Sequence, residues 1–374
     1  MHKLLTLGLA SLFLVVTGCQ DTNTTGPLAE PSFHEGASFG APDIVVPAGG
    51  SIQAAVDAAG AGSVIHIEPG TYSEAVTIDK PGIKLIGLDG SDGGVVIENP
   101  GGEENGINVT DNGDDFALIN VTVRDFDENG VFLFGVDKFL ISHVTTEDNG
   151  EYGIFPAHSA HGRIEHSSAS GHSDTGIYVG QSRNVRVRQN AAFGNVIGFE
   201  VENSSFVQVT DNEAYDNVAG ILVVLLPGLD VKESSNIRVA KNSVHDNNHV
   251  NFAEPGELAA AVPTGSGILV VGTDRTNVKH NTVTGNDFVG IGVASSLLLG
   301  ALAGLPPEAF ADIEPNPDGV RVQNNVVTTN GASPPPIGLP GVDLLWDGSG
   351  TKNCWSGNTF ATAFPSVLPP CDDD

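Results

Sequence analysis

The sequence has few of the residues on which several protein classes depend. Its 374 residues include one Met and three Cys, and 16 Lys and Arg stand against 46 Asp and Glu. The formal net charge of −30 argues against a nucleic-acid partner, because phosphates need a basic surface. The same charge disfavours unaided binding of a polyanion. No phosphate-binding loop, dinucleotide fingerprint or nucleophilic Ser or Cys with a paired base is recognisable.

An apolar run near the N-terminus is too short to span a bilayer. It covers residues 4–16, as in a signal peptide, and the Thr-Gly-Cys sequence that closes at Cys19 resembles a bacterial lipobox. We expect residues 1–18 to be removed, Cys19 to be diacylated and residues 19–42 to form a flexible tether. The protein would then be held on a membrane of the bacterial cell envelope, on its periplasmic or outer-membrane face. An ordinary signal peptide with an incidental Cys is the alternative.

The remainder of the chain repeats one short unit, Gly-apolar-x-apolar. The unit begins at Gly106, Gly130, Gly153, Gly176, Gly198, Gly220, Gly267 and Gly290. These positions are separated by 22 to 24 residues, except for one interval of 47 residues that contains insertions. A fixed period of this length is typical of a solenoid, and short β-branched runs between Gly and Asn favour strands over helices. The sequence therefore predicts an all-β fold, a single parallel β-helix of about ten coils.

An Asn recurs at one place in successive coils. The column consists of Asn190, Asn212, Asn242, Asn281 and Asn325. Because stacked coils lie roughly 4.8 Å apart, side-chain amides in one column can form hydrogen bonds along the solenoid axis. We predict such a ladder, and ordinary surface turn residues are the alternative.

The ends of a solenoid need covers, since its apolar interior is exposed there. Residues 51–60 form the one convincing amphipathic helical pattern, with Ser51 as its N-cap, and we predict that they cover the N-terminal end. Near the other end, Cys354 and Cys371 remain once Cys19 is lipidated. An even pair in an exported protein predicts a disulfide.

Four long insertions interrupt the coils in the second half of the chain. They cover residues 225–232, 248–264, 297–318 and 332–341. All four flank the Gly-apolar strand, and insertions on one face of a solenoid usually mark a binding face. The Leu run at residues 297–299 has a second interpretation, a patch that touches a membrane.

The repeated units resemble the right-handed parallel β-helix of pectate lyases, alginate epimerases and carbohydrate-active envelope proteins. The run from Asp174 to Ser182 is similar to a block in uncharacterised β-helix envelope lipoproteins. With the Cys354-Trp355 ending, the resemblance covers residues 43–374. It implies one right-handed β-helix domain over that range and an interaction with a polysaccharide or oligosaccharide. It specifies the fold more than the reaction, because this superfold hosts many functions.

The outward positions of the Gly-apolar strands form a candidate substrate-binding column. Side-chain alternation places these residues one above another on the outside: Phe132, Phe155, Tyr178, Glu200 and Leu222. Aromatic rings at the roughly 4.8 Å spacing of the coils can stack on successive sugars. The alternative is that the flanking insertions cover these side chains as a second core.

A second motif, from Tyr152 to His158, resembles the Tyr-Gly-Phe-Asp-Pro-His motif of alginate epimerases, whose Tyr, Asp and His transfer protons at C5 of a uronate. Phe155 stands here in place of the acid and the His is displaced by one position, so Tyr152 alone carries over. Asp174 lies about one coil from both Tyr152 and Glu200 and is the better candidate acid. The candidate catalytic residues are therefore Tyr152, His158, Asp174 and Glu200, for a lyase, an epimerase or a glycoside hydrolase.

Two further groups raise the question of a bound cation. His158, His161, His166 and His172 lie close in sequence, and the coil register places His166 over His143. The resemblance includes a periplasmic copper-accessory role, but a chain whose one Met is its first residue lacks the soft ligands that copper favours. Turn and ladder positions are the simpler interpretation of these histidines. The acidic run 111–115 has two interpretations, a Ca²⁺ site and a solvated turn.

These observations support three hypotheses of different classes. The first is an envelope lipoprotein whose groove binds, and in one version processes, an extended polysaccharide. A uronate-rich ligand would then need a bridging cation such as Ca²⁺. The second is a non-catalytic scaffold for a protein partner, and the third is a periplasmic metal-handling accessory protein. Loss of glycan binding in Tyr178→Ala would indicate the first, and a co-purifying envelope protein the second.

Cys19 provides a test of the membrane anchor. The mature protein should partition into detergent and carry acyl mass, and Cys19→Ser should release it or leave the precursor uncleaved. Phase partition and mass spectrometry of both proteins measure this. A wild type that is already soluble in a periplasmic extract would contradict the anchor.

Overall fold

The chain winds into a parallel β-helix, as the repeats predict, and the helix is right-handed, as the family resemblance implies. The computed structural model describes residues 44–90 and 94–372. The predicted signal peptide, Cys19 and the tether lie outside the described residues. Within them the strands form two sheets, sheet A of 20 strands and sheet B of 11 strands. Most coils contribute two strands to sheet A and one strand to sheet B.

The strands are short and are joined by tight corners. Sheet A consists of Ile44–Val46, Val64–Ile67, Gly70–Ser73, Lys84–Gly87, Val95–Glu98, Phe116–Arg124, Phe139–Glu147, Arg163–Glu165, Ser168–Ser170, Arg186–Arg188, Ala191–Phe193, Gln208–Thr210, Glu213–Tyr215, Arg238–Ala240, Ser243–His245, Asn277–Lys279, Thr282–Thr284, Arg321–Gln323, Val326–Thr328 and Cys354–Ser356. Sheet B consists of Val76–Ile78, Asn105–Val109, Asn129–Phe134, Tyr152–Ala157, Thr175–Gly180, Ile197–Glu202, Ala219–Val224, Ser266–Val271, Val289–Ala294, Val342–Trp346 and Ala363–Phe364.

Apolar residues at equivalent positions of consecutive coils form one continuous core. Ile177 is in register with Phe199, and Phe199 with Ile221. All three side chains are buried, and they belong to an apolar cluster that extends from Val46 to Trp355. These inward positions alternate with the outward positions that the sequence predicts on the same strands.

The predicted N-terminal cover is present. An α-helix, Ile52–Ala58, follows Ser51, whose Oγ accepts a hydrogen bond of 3.1 Å from the Ala54 N–H. Ile52 and Val56 of this helix are buried against the first coils. The helix thus closes the apolar interior at this end.

The predicted disulfide is present at the C-terminal end, where it joins Cys354 to Cys371. The Trp355 N–H donates a hydrogen bond of 2.8 Å to the Pro369 carbonyl, which holds the tail across the last coil. A cross-link over a loop of this size stabilises the fold by roughly 3 kcal/mol.

The predicted Asn ladder is confirmed. In the column, each Nδ2 donates to the Oδ1 of the next Asn at 2.9 to 3.1 Å. The same amides also donate to backbone carbonyls, as Asn212 does to Val187 at 3.0 Å. At another corner, the backbone N–H of each Ser donates to the hydroxyl oxygen of a Ser in the next coil. A further Asn column comprises Asn195, Asn217, Asn247, Asn286 and Asn330.

The repeated Gly of sheet B is required because no space is left for a side chain. A Cβ at Gly176 would lie 2.8 Å from Asn195 Nδ2 and 3.0 Å from the Gly198 carbonyl oxygen. The regular alternation of inward and outward side chains along the strand is also interrupted at this Gly. Ile197, just before Gly198, packs in an outer apolar cluster, whereas Phe199, just after it, packs in the main core. Each strand of this kind therefore has outward positions on both sides of its Gly.

The insertions fold over sheet B and form a second apolar layer. They contain the α-helix Ser296–Leu302 and two 3₁₀-helices, Leu258–Ala261 and Pro307–Phe310. Leu222 of sheet B is 2 % exposed and belongs to the same buried cluster as Leu299. Leu299 therefore lies in the protein interior and not in a membrane-touching patch. In the described part of the chain, no helix has both the length and the apolar character needed to cross a membrane.

Replacement of Asn212 by Ala tests the ladder. The Asn212 side chain is 3 % exposed and joins Asn190 to Asn242. Asn212→Ala leaves buried polar atoms unpaired on both sides and should lower the free energy of unfolding by roughly 1–3 kcal/mol. Urea unfolding measures the change. Asn277→Ala is the control, because Asn277 is half-buried on the outward side of sheet A, and equal, near-zero effects of both variants would contradict a stabilising ladder.

Candidate functional site

The outward positions of sheet B meet the insertions around a cavity of about 120 Å³. Four carboxyl side chains line it. Asp174, Glu200 and Glu202 come from sheet B and the turn before it, and Glu257 comes from the second insertion. Glu202 and Glu257 also line an adjoining cavity of about 400 Å³, which is bordered by the exposed Leu305. The two cavities therefore lie next to each other and share part of their lining.

Thr175 links two of these carboxyl groups. Its Oγ1 lies 3.0 Å from Asp174 Oδ1 and 2.8 Å from Glu200 Oε2. Asp174 Oδ2 also accepts a hydrogen bond of 2.9 Å from the Tyr152 hydroxyl. A hydroxyl carries one proton, so both contacts of Thr175 are full hydrogen bonds only if it donates to one carboxylate and accepts from a protonated carboxyl group. The geometry thus favours one charged and one neutral member of the pair.

Burial raises the pKa of three of these carboxyl groups. The pKa of Asp174 rises to about 6 and that of Glu202 to about 7, because loss of hydration outweighs the hydrogen bonds that Tyr hydroxyls donate to them. The pKa of Glu200 lies well above its usual value, because desolvation is reinforced by the charges of Asp174 and Glu202. Burial therefore favours the neutral form of Glu200, whereas the hydrogen bond from the Tyr152 hydroxyl favours the charged form of Asp174.

Further acidic residues surround the cavity. Glu151 keeps an exposed side chain, and partial desolvation, together with the charges of neighbouring acids such as Glu128 and Asp174, raises its pKa to about 7. Among the described residues that line either cavity, none is Lys or Arg. Basic residues lie elsewhere, for example Arg186 and Arg238 on sheet A. The site is therefore acidic without a cationic side chain in its lining.

The predicted substrate-binding column has the expected register. Phe132 lies opposite Phe155, Tyr178 opposite Glu200, and Glu200 opposite Leu222. The expectation of an open, exposed row is wrong for Tyr178, Glu200 and Leu222, which are buried. The insertions and neighbouring rings cover them, as the alternative interpretation of a second core expects. Phe132 and Phe155 are half-buried.

The aromatic rings of the column pack against one another beside the acidic cavity. The Tyr178 ring stands edge-on to Phe155 at 4.6 Å, and the Phe132 ring lies 5.2 Å from that of Phe155. The Tyr178 hydroxyl donates a hydrogen bond of 2.7 Å to Glu202. A role of these side chains in binding a ligand stays a prediction.

The epimerase-like motif is divided between two places. The Tyr152 ring stacks on Phe155 at 4.3 Å beside the acidic cavity. His158 lines a different cavity, of about 530 Å³. The structure thus brings together Tyr152, Asp174 and Glu200 of the predicted catalytic set and leaves His158 apart from them. Their catalytic roles stay predictions.

The neighbouring histidines occupy turn and ladder positions. The rings of His143 and His166 stack at 5.0 Å, as the register predicts. His172 is buried next to the Asn149 carbonyl oxygen at 3.0 Å, and burial lowers its pKa to about 4. Within residues 44–90 and 94–372, which include the acidic run 111–115, no group of three or more His, Cys, Asp or Glu side chains is arranged to hold a metal ion.

Three residues of the site are missing from the sequence-based prediction. Glu202 lies two residues after Glu200 on one strand, so alternation alone could have placed both on the cavity side. Regular alternation along the strand predicts that Thr175 points into the core. Because the alternation is interrupted at Gly176, Thr175 instead points outward, towards the cavity. Glu257 lies in an insertion, where no periodicity indicates the direction of a side chain.

Comparison with known proteins assigns the chain to a family. The family model for a right-handed β-helix region matches residues 105–227 and 224–297. The chain belongs to this family of right-handed β-helix proteins. No curated protein sequence matches it significantly.

Solved structures share the fold at low sequence identity. The A-module of mannuronan C-5 epimerase AlgE6 from Azotobacter vinelandii is 17 % identical with a TM-score of 0.62, over 86 % of this chain and 92 % of that one. The AlgE4 A-module of the same organism is 18 % identical with a TM-score of 0.60, over 82 % of each chain. DFA-IIIase from Arthrobacter chlorophenolicus A6, in complex with GF2, is 13 % identical with a TM-score of 0.53, over 80 % and 77 %. At these identities the similarity shows the fold alone.

The raised pKa values predict a dependence of stability on pH. Between about pH 4 and pH 7 the folded protein keeps protons on Asp174 and Glu202 that the unfolded chain has released. Folding then takes up protons, so this contribution to stability falls as the pH rises. Glu202→Gln stays neutral at every pH. Its stability relative to the wild type should therefore be greater at about pH 8 than at about pH 5.

Thermal unfolding at both pH values measures this gain. The control is Glu233→Gln, because Glu233 is exposed. A stability difference between Glu202→Gln and the wild type that is the same at both pH values would contradict the raised pKa of Glu202.

Proposed function

We propose that the protein binds a carbohydrate in the acidic cavity beneath the insertions and cleaves a glycosidic bond there by acid catalysis. The observation that carries the proposal is the pair of carboxyl groups joined by Thr175, in which burial favours a neutral Glu200 and the Tyr152 hydrogen bond favours a charged Asp174. Glycoside hydrolysis uses such a pair. One carboxylic acid protonates the leaving oxygen, and one carboxylate assists the attack on the sugar.

Each side chain has a distinct role in this proposal. Glu200 lines the cavity and transfers its proton to the glycosidic oxygen as the C–O bond breaks, so that the leaving group departs as an alcohol. The shared Thr175 hydroxyl holds the nearest oxygens of the two carboxyl groups within about 6 Å of each other, the short separation of retaining enzymes. Asp174 therefore attacks the sugar carbon and forms a glycosyl ester, and a water that gives its proton to Glu200 then releases the sugar and restores both groups. The Tyr152 hydroxyl orients Asp174 through its hydrogen bond to Oδ2.

The choice of hydrolysis over uronate chemistry follows from the electrostatics of the site. Proton abstraction beside a carboxylate, as in an epimerase or a lyase, needs a group that neutralises the developing anion. The described residues that line the cavity include no Lys or Arg to do so. Protonation of a leaving oxygen needs only a carboxylic acid that is neutral at working pH, which burial of Glu200 supplies.

The choice of a carbohydrate is supported by the fold and by the border of the cavity. Two structures with the same fold are mannuronan C-5 epimerases. The half-buried rings of Phe132 and Phe155 lie at the edge of the site, and apolar ring faces suit the faces of sugar rings. We retain the proposal that Cys19 anchors the protein in the cell envelope, where an extended polysaccharide would enter through the larger cavity.

Variants of the two carboxyl groups test the mechanism. The purified protein is screened on a panel of oligosaccharides for new reducing ends and for unsaturated products. Glu200→Gln and Asp174→Asn should each lower turnover of an active substrate by about 100-fold or more, because the first removes the proton donor and the second removes the nucleophile. Substrate binding should be retained, and the exposed Glu233→Gln should match the wild type.

Other outcomes would contradict the proposal at different points. Unsaturated products would identify a lyase. Unchanged turnover in Glu200→Gln would remove Glu200 from the chemistry. A panel on which nothing binds, together with a co-purifying envelope protein, would favour the scaffold hypothesis.

A further inference from the structure

Sheet A carries a basic strip on its outer side, although the chain as a whole is acidic. In six successive strands the middle residue packs in the core, so the first and third residues point outward. These strands are Arg163–Glu165, Arg186–Arg188, Gln208–Thr210, Arg238–Ala240, Asn277–Lys279 and Arg321–Gln323. Their outward positions hold six Lys or Arg and one acid, whereas the chain has 16 Lys and Arg against 46 Asp and Glu. We call these outward positions the basic strip.

The one acid of the basic strip stands at its N-terminal end. Glu165 accepts a hydrogen bond of 2.9 Å from Arg188 Nε and lies 3.6 Å from Arg163 Nη2. It therefore offsets positive charge at that end. The outward positions of the five strands that follow contain no Asp or Glu. The rest of the basic strip is thus a run of cations and neutral side chains.

Arg238, in the middle of the basic strip, gives an independent indication of a ligand. It is in register with Gln208 on one side and with Asn277 on the other, so neither neighbour in its column is an acid. Its Nε is buried and has no hydrogen-bond partner within the described structure. A buried donor without a partner is unfavourable, and an acceptor on a ligand would satisfy it.

A cavity of about 520 Å³ lies at the C-terminal end of the basic strip. Arg321 of the strip lines it, together with Lys352 and Trp346, and Asp372 is the one acid in its described lining. Trp346 is half-buried, and its indole N–H donates a hydrogen bond of 2.9 Å to the Ser349 carbonyl, which orients the ring. Two cations beside an aromatic ring suit a sugar that carries a carboxylate.

We propose that the basic strip and the cavity at its end bind an acidic polysaccharide whose sugars carry carboxylates. This binding lies on a different sheet from the acidic cavity and does not depend on the proposed cleavage there. Arg186, Arg238 and Arg321 occupy alternate coils of one column, so they recur roughly every 10 Å, twice the coil spacing. Carboxylates on one side of an extended β-1,4-linked uronan recur once per disaccharide, at a similar distance. Each guanidinium can pair with a carboxylate through two hydrogen bonds.

The narrowness of the basic strip favours a single extended chain over a broad partner. Acids border it, with Asp211 and Glu213 on one side and Asp274 on the other. An anionic membrane or a nucleic-acid duplex would bring its own charges against these acids as well. More distant acids matter less, because salt screens charges beyond a Debye length of about 8 Å. The overall charge of −30 therefore does not prevent a uronan from binding here without a bridging cation.

Two hexasaccharides that differ only in charge test the inference. One is β-1,4-linked glucuronic acid, and the other is cellohexaose, which has a hydroxymethyl group in place of each carboxylate. Calorimetry uses the full-length protein in detergent, at low salt and with excess chelator, which removes bridging cations. The wild type should bind the acidic hexasaccharide at least about tenfold more tightly, and this preference should shrink as salt is added.

Charge-neutralising variants locate the site. Arg238→Gln and Lys279→Gln should each weaken binding of the acidic hexasaccharide about threefold or more, and the double variant about tenfold or more, with little change for cellohexaose. Lys84→Gln is the matched control. Lys84 lies in the same column as Arg238 but is separated from the basic strip by Ala117 and Leu140. It changes the net charge equally and should keep the wild-type affinity. Thermal unfolding checks that each variant remains folded.

The contrary outcomes are distinguishable. Equal affinity for the two hexasaccharides would overturn recognition of carboxylates. An acidic preference that survives the double variant, or that Lys84→Gln weakens as much as Lys279→Gln does, would overturn the basic strip as its site. Tighter binding of anionic lipid vesicles or duplex DNA, lost in the same variants, would show a partner of another class. Glu200→Gln should bind the acidic hexasaccharide as the wild type does, so failure of the proposed hydrolysis leaves this inference standing.

Discussion

Hydrogen bonds between buried side-chain amides hold the stacked coils in register. Asn217 Nδ2 donates to Asn247 Oδ1 at 2.9 Å and to the Ala192 carbonyl at 3.0 Å, so one amide joins three successive coils. Loss of a partner for a buried polar group costs about 1–3 kcal/mol. A coil that slipped along its neighbour would therefore lose several such bonds together. The apolar core alone would permit slippage, because its residues are largely interchangeable Val, Ile and Leu.

This constraint determines what the outer side of sheet B can carry. The second Asn column occupies the space in which a side chain at the repeated Gly would lie, and the change of alternation there creates outward positions on both sides of the Gly. Where these positions are apolar, as at Ile197 and Leu222, they form an outer core with the insertions. Where they are polar, as at Thr175 and Glu200, they line the cavity. The second Asn column therefore contributes to the site, because it requires the Gly beside which these outward positions lie.

A solenoid repeat makes much of this predictable, because spacing along the sequence becomes stacking along an axis. The spacing of Gly and Asn predicts the coils, the ladder and the register of Tyr178 with Glu200, and the structure confirms all three. The burial of Tyr178 was not predictable, since it depends on insertions that have no period. Glu257 was unpredictable for the same reason. Thr175 needed knowledge of the backbone at Gly176, which alternation does not supply.

The acidic residues of one coil are in register with apolar residues of the next coil. This difference between the two coils shows where along sheet B the candidate site lies. Glu200 is in register with Leu222 and Glu202 with Val224, beneath the same insertions. The apolar pair contributes to the outer core, whereas the acids lie where burial opposes their charge, as their raised pKa values show. Such acids weaken the fold, so their presence indicates function more than structure. The candidate site is therefore a local cavity at the coils of Asp174 and Glu200, bordered by the apolar coil that follows, and not a groove along the whole of sheet B.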